Sequence, residues 1–425
     1  MRMNALKIIS SVLVFAVALV QPFISFAQCS IEPSPAIRSA KWDAIFTQDG
    51  PGKGLEPADT PGWTGGDSAY SLLLPNGDTA FFFSDSYIGE SSKTKGDGTV
   101  TRNASGLRTT ELNCFPPLCD PEASTFVARN SIVILSKDGK KLRTLVGPKN
   151  EHGLSTSYFK DPAEGLNYWV GDAIILPAPK SKKRLLLFLH KFDPKLEFHG
   201  ASIAQLDPNT LAIEKLIDVK NMPGLKTHWG TSMLVEGNDL YIYGKGTVNG
   251  KKLGFVSKTN ADGDIERIAD SSNWEAWNGK AWVKDLTTAA PIVPAADSIS
   301  DEYDVAKFTI NGRSTYLIAG LDTSVPFGSW RDITLYSSCS PQGPFIGKHV
   351  VYAAPESGSL IVPGLAAGEK LKAHLVLYNP HIHTQFSGSG RILVSYNLNR
   401  YHNSDSIYID GYRPRFIEIQ ISGLK

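Results

Sequence analysis

The feature that most constrains this chain is a unit that occurs five times: polar residues, an apolar strand, a turn, a second apolar strand and a closing polar residue. Its clearest copy is 66–86, GDSAYSLLLPNGDTAFFFSDS. Apolar runs at 69–74 and 79–83 flank Pro75-Asn76-Gly77-Asp78, where Asn-Gly supplies the positive φ that a tight hairpin requires. Antiparallel strands return Asp67 and Asp85 to the same open end. Whether the two carboxylates also share a face depends on one residue of turn length, because strand side chains alternate; the sequence leaves that parity open.

The other copies begin at Tyr168-Trp169-Val170-Gly171-Asp172 and end at His190, begin at Thr227-His228-Trp229-Gly230 and end at Lys245, and begin at Glu302-Tyr303-Asp304 and end at Asp322. The last runs from Tyr378-Asn379-Pro380-His381-Ile382-His383 to Asn399. Four copies are followed by a more polar strand pair, at 128–146, 199–219, 252–270 and 332–353. Helical periodicity is nearly absent, so the class is all-β. Four strands per unit and five units predict a five-bladed β-propeller with four-stranded blades. The fifth unit has one clear outer strand, RFIEIQIS, and its missing partner is expected at 36–46, an N-terminal strand that closes the ring. A two-sheet sandwich with an extra domain is the rival architecture.

Residues 1–27 combine Arg2 and Lys7, a short apolar run at 8–20 and the small-x-small site Ser25-Phe26-Ala27, which reads as a cleavable signal peptide rather than a membrane span. A lipoprotein anchor at Cys29 is the weaker alternative, because Gln28 sits where a small residue belongs. A single propeller domain at 28–425, secreted or periplasmic and monomeric, is therefore expected. With 43 basic and 42 acidic residues, nucleic acid and anionic membranes are poor partners. In an exported chain the four cysteines suggest two disulfides, a local Cys114–Cys119 staple and Cys29–Cys339, with free buried thiols as the alternative.

In a propeller the loops entering the innermost strands gather at one face of a central channel, where ligands favour the concave mouth. That geometry collects Asp67, Asp85, Asp172, His190, His228, Lys245, Glu302, Asp304, Asp322, His381, His383 and Asn397. Two carboxyl groups flanking one bond are what glycoside hydrolysis needs, one protonating the leaving oxygen while the other attacks or activates water. Asp67 and Asp85 are the expected pair, with Asp172 and Asp304 orienting or tuning them. Trp169 and Trp229 offer faces on which sugar rings stack. Arg102, Arg129 and Lys245 are the cations available to hold hydroxyls or an anionic substituent. An Asp before a strand is often only a turn-former bonded to its own backbone, so the argument rests on the coincidence of many at one face. His381 and His383 share a side of their strand and with an acid would suit a metal, but hydrogen-bonding channel histidines are the preferred reading. No metal or cofactor is expected, beyond room for a structural cation in the channel. The tryptophans of 274–282 read as an outer hairpin packing between blades. Walker, nucleophile-elbow and HExxH patterns are absent, as is a complete sialidase-type Asp box.

GDSAYSLLLPNGDTAFFFSDSYIG, YWVGDAIIL, the segment 274–282, SPQGPF and YNPHIHTQFSGSGRILVSYNLN together resemble the secreted propellers grouped as the domain of unknown function number 4185, in the same order over most of the chain. Some members of that group are endo-acting D-arabinan hydrolases. The resemblance implies that the paired acids fall on Asp67 and Asp85, although Phe83-Ser84-Asp85-Ser86 lacks the glycine of the group's FGDT motif. It also implies substrate contact or channel structure for His381 and His383. The expectation is a glycoside hydrolase acting on an arabinan-like or other furanose-containing polysaccharide. A non-catalytic carbohydrate-binding propeller and a surface interaction scaffold are the alternatives.

Overall fold

The structure, a computed structural model, describes residues 29–46, 55–56, 63–88, 91–93, 100–102, 108–109, 126–149, 156–176, 183–224, 226–326, 329–357, 375–400 and 412–425. The expected signal peptide at 1–27, Cys114 and Cys119 lie outside them. Among the described residues six sheets have four or more strands; five of them, mainly antiparallel, form a five-bladed propeller, and the sixth joins Trp63–Gly66, Ser86–Ile88, Phe126–Ala128 and Arg108–Thr109. Blade one carries the hairpin Tyr70–Leu73 and Thr79–Phe83, then Ser131–Leu135 and Lys141–Leu145. Blade two runs Asn167–Leu176, Arg184–Phe192, Phe198–Leu206 and Ile213–Asp218 from the axis outward. Blade four is Asp304–Ile310, Arg313–Leu321, Asp332–Ser338 and Ile346–Ala353, each near its expected place.

Blade three departs from the expectation. Thr227–Glu236, Asp239–Val248 and Lys251–Asn260 are strands, but the sequence after them turns into the helix Ile265–Ile268 instead of a returning strand. Asp264 caps that helix by accepting from Arg267 N at 2.8 Å, and Ile265 and Ile268, three apart, bury one face. The outer strand is instead Glu275–Trp277, paired with Trp282–Val283, so the tryptophan-rich segment is an outer hairpin as expected. Trp274 is fully buried and meets Trp229 and Phe188 edge-on.

Blade five consists of Leu375–Ile382, Arg391–Arg400 and Pro414–Gln420, with Ile37–Arg38 from the N-terminal segment added at the outer edge. The ring is thus closed by an N-terminal strand, though a shorter one than 36–46. Its continuation is the helix Ala40–Ile45, because Trp42 and Phe46 turn inward onto Phe416 while Asp43 accepts from Phe416 N at 3.0 Å. The Cys29–Cys339 disulfide is formed and ties this closing segment to blade four.

The core lies between blades rather than along the axis. One apolar cluster joins blades one and two through Tyr70, Phe82, Leu187 and Leu189; another joins blades five and one through Phe81, Phe83, Leu393 and Phe416. Around the channel a second system links the blades by hydrogen bonds. Ladder register breaks after Val170, Trp229 and Tyr378, in the innermost strands of blades two, three and five. Such bulges free backbone N–H groups that must be paired elsewhere. Val170 N donates to Ser84 Oγ at 3.0 Å, Met233 N to Asp172 Oδ2 at 2.6 Å, Val305 N to Ser232 Oγ at 3.0 Å and Ile382 N to Asp304 Oδ2 at 2.8 Å. Asn397 Nδ2, donating to Gly66 O at 3.1 Å, completes the circuit from blade five to blade one. Gly171 is required by this close approach, since a Cβ there would lie 2.5 Å from Gly230 O.

Candidate functional site

The register decides the parity that turn length left open. Gly66 pairs with Ser86 on one side and Tyr70 with Phe82 on the other, so Asp67 falls opposite Asp85 on the same face of the hairpin. Asp67 N donates to Asp85 O at 3.3 Å and Ser84 N to Asp67 O at 3.0 Å. Between Asp67 and the strand, Ser68 (φ 72°) and Ala69 (φ 58°) both sit in the left-handed region, which disfavours side chains by roughly 1 kcal/mol each. The kink is held by Ser68 Oγ against Ser84 Oγ at 2.8 Å.

Asp67 is driven well above the usual carboxylate range. Burial is the main cause and the neighbouring Asp85 charge the second; the hydroxyls of Tyr412 and Tyr378 oppose the rise, and Glu302 adds to it. Tyr378 donates to Asp67 Oδ2 at 3.1 Å. Asp85 Oδ2 pairs with Arg129 at 3.2 Å, and each of these side chains is one-quarter exposed. Glu302 enters from blade four, two residues before its innermost strand. Burial pushes it up to about 8, against the pull of Lys245, which is itself bound to Asp301 Oδ1 at 2.8 Å. One oxygen of each acid, Asp67 Oδ1, Asp85 Oδ1 and Glu302 Oε2, is buried without a hydrogen-bond partner among the described residues.

Asp172 and Asp304 do not belong with these acids. Asp172 accepts from Ala173 N at 2.7 Å and from Met233 N, and Asp304 from Ser232 Oγ at 2.8 Å and from Ile382 N. One Asp172 oxygen is spent on its own strand and the other, like both of Asp304, on a bond to the next blade, so they pin the ring instead of tuning the pair. Asp322 is likewise occupied, by Lys348 at 2.7 Å and by Ser324 N.

Burial lowers the four channel histidines, which are mostly structural. His190, pushed down to about 4 by burial, bonds to Trp229 O at 2.9 Å. His383, down to about 3 for the same reason, holds Ser71 Oγ at 2.6 Å between the rings of Phe81 and Phe416. His228, down to about 3 through burial and then Lys245, stacks on Phe198 with ring centroids 3.9 Å apart. Of these four His381 reaches the acids: its ring packs tilted against Tyr70 with centroids 3.8 Å apart, and its Nε2 lies 3.7 Å from Glu302 Oε2. Burial pushes it down to about 4.

Trp229 is 2% exposed and cannot serve as an open platform for a sugar; it packs into the blade interface because its side chain faces Trp274. Trp169 is half-buried against Phe192, with centroids 4.6 Å apart, and keeps that role available. The side chain of Arg102 lies outside the described residues. Sequence reasoning passed over Tyr378 and Tyr412 as partners of Asp67, and it counted Glu302 at the mouth without assigning it a role. The only signal was position: Tyr378 opens its unit, as Asp67 opens the first. A further trio that could hold a metal, Asp193, Glu197 and His199, is a surface turn organised by Asp193 accepting from Lys195 N and Glu197 N.

A five-bladed propeller with three partly unsatisfied acids at its mouth defines the class. The chain belongs to the Domain of unknown function (DUF5005) family, whose model matches residues 58–421. The group numbered 4185, to which its motifs point, is not shown by these comparisons. Among solved structures, a Bacteroides ovatus protein provisionally named a hydrolase is 19% identical, with a TM-score of 0.63 over 92% of this chain and 94% of that one, which shows the fold. A family 117 glycoside hydrolase from Zobellia galactanivorans (12% identity, TM-score 0.40, 93% and 90% covered) is more remote. So is the catalytic domain of a GH62 α-L-arabinofuranosidase from Coprinopsis cinerea (9%, 0.42, 93% and 98%). Likeness at that level carries no weight for chemistry. No curated protein matches the chain.

Proposed function

We propose that this chain is an exported glycoside hydrolase that cleaves a polysaccharide at the mouth of the propeller, with arabinan-type furanose glycans as the first class to test. The observation that carries the reading is the pairing of a carboxylic acid held neutral near pH 7, Glu302, with the Asp67–Asp85 pair and its Arg129 countercharge. Two carboxyl environments pushed apart in this way divide the labour of acid and base.

In this reading Glu302 gives its proton to the glycosidic oxygen as the bond to the anomeric carbon breaks. The charged member of the Asp67–Asp85 pair receives the proton of the attacking water or bonds to the anomeric carbon itself. Those two carboxylates face each other across the hairpin, and the Arg129 guanidinium lies 3.2 Å from Asp85 Oδ2. Trp169 supports a sugar face beside them.

The test is product release from arabinans, arabinogalactans and xylans by the mature protein beside folded Asp67→Asn, Asp85→Asn and Glu302→Gln variants. Loss of a genuine activity in all three supports the assignment. Binding of one polysaccharide equally by all four proteins, with no cleavage, replaces it with a carbohydrate-binding propeller.

A further inference from the structure

Both ring nitrogens of His381, and Oε2 of Glu302 beside them, are buried without a hydrogen-bond partner among the described residues. The imidazole is 1% exposed. Its neighbours in the channel are placed differently, since His190 Nε2 bonds to Trp229 O and His383 Nδ1 to Ser71 Oγ. An unpaired imidazole is costly to bury, and Glu302 Oε2 lies 3.7 Å from Nε2. That is longer than a hydrogen bond, but catalytic hydrogen bonds are often long before substrate arrives. The backbone fixes the meeting. Ile382 N donates to Asp304 Oδ2 at 2.8 Å. Asp304 follows Glu302 by two residues and Ile382 follows His381 by one, so a single clasp between blades four and five brings the two side chains together.

We infer that His381 is the positioning residue of Glu302: its Nε2–H donates to Oε2 as that carboxyl gives up its proton, which leaves Oε1 to carry the acidic hydrogen between turnovers. The inference rests on the glycoside-hydrolase reading for its catalytic consequence, whereas the His381–Glu302 bond is tested without substrate. In the step itself the proton passes from Glu302 Oε1 to the glycosidic oxygen as the bond to the anomeric carbon breaks, and the bonding pair leaves with that oxygen. Glu302 becomes a carboxylate. His381 stays neutral, with its hydrogen on Nε2 and its lone pair on Nδ1. Burial, which holds His381 down to about 4, keeps the ring from taking the proton itself. A hydrogen bond to a carboxylate is stronger than one to a neutral acid, so the contact tightens as the transition state is approached.

Nitrogen-15 NMR of the histidine-labelled mature chain, titrated through the ionisation of Glu302, reads the bond directly. His381 Nε2 should carry its hydrogen at neutral pH, and its signal should move with Glu302 near pH 8. Glu302→Gln should remove that step. The other groups facing the pair are Lys245 and Asp301 beside Glu302, Asp304, His383 and Tyr70 beside His381, and Asp67, which the Glu302 charge raises. Asp67→Asn should leave the step in place. His381→Phe keeps the ring shape and the packing on Tyr70. With arabinan, arabinogalactan or xylan as substrate it should lower kcat about 10–100-fold with KM little changed. The alkaline limb of kcat/KM should move about one pH unit higher, because the carboxylate has lost its donor. His381→Gln, which returns an amide N–H, should recover most of both, with thermal melts confirming that the variants fold.

A His381 Nε2 without its hydrogen overturns the proposal, as does a step that survives Glu302→Gln or a His381→Phe limb that stays in place. An Nε2 step tied to Glu302 in a protein that cuts no polysaccharide sinks the hydrolase reading and leaves the bond standing. Hydrolysis that depends on Glu302 with no Nε2 step sinks only the role of His381.

Discussion

The acids of the mouth and the acids of the inner ring come from the same repeating unit and have opposite fates. Asp67, Asp85 and Glu302 each keep an oxygen that is buried and unpartnered among the described residues. Asp172 and Asp304 have both oxygens occupied, by Ala173 N and Met233 N in one case and by Ser232 Oγ and Ile382 N in the other. Burial raises Asp67, Asp172 and Glu302 alike, so a raised pKa does not separate the classes. Acceptor capacity does: a buried carboxyl with a free oxygen has something left for a ligand, and one saturated by backbone N–H groups is a fastener.

The strongest way to break this comparison is Glu302→Gln, which keeps shape and removes the proton. General acid catalysis contributes roughly 10²–10⁴-fold, and kcat should fall by that factor with the melting temperature unchanged or higher. An unaffected kcat returns Glu302 to the structural class.

The same Asp→Asn change should next give opposite readouts in the two regions. Asp172→Asn leaves a buried N–H without its acceptor and should cost about 1–3 kcal/mol in denaturant unfolding, with kcat preserved in the folded fraction. Asp67→Asn relieves a like-charge contact with Asp85 and should lose activity without losing stability. Equal destabilisation by both would dissolve the distinction.

The pH dependence follows from Glu302. Its unfolded form ionises near 4.5, whereas the native form stays protonated to about 8. The native state therefore binds more protons across that window, and stability falls as pH rises through it, by at most about 1.4 kcal/mol per unit and less for a side chain 16% exposed. Glu302→Gln should flatten that slope, and the alkaline limb of kcat/KM near pH 8 should belong to the same group. The smallest effect is expected from Trp169→Ala: a KM raised about three- to ten-fold with kcat retained, the mark of a stacking contact.

Much of the fold was legible because it is written locally. Alternating apolar runs, Asn-Gly turns and polar strand entries occur within about twenty residues of one another, and repeating them five times leaves few architectures. Only where helical spacing hides in a short stretch, at Ile265–Ile268 and Ala40–Ile45, did the strand reading fail. Capping by Asp264 and burial of Trp42 and Phe46 against blade five, which decide those segments, are not visible as periodicity over so few residues.

From sequence alone this chain is an all-β five-unit ring with acids expected at one mouth and a closing N-terminal strand, while the Cys29–Cys339 bridge was one open pairing that the structure decided. The tertiary structure decided which acids are free to act. Met233 lies 61 residues from Asp172, Ile382 lies 78 from Asp304, and Tyr378 lies 311 from Asp67. Those partners meet only when the blades close around the channel. A side chain's chemistry depends on what solvates it, and in a closed ring the solvating groups come from the next blade.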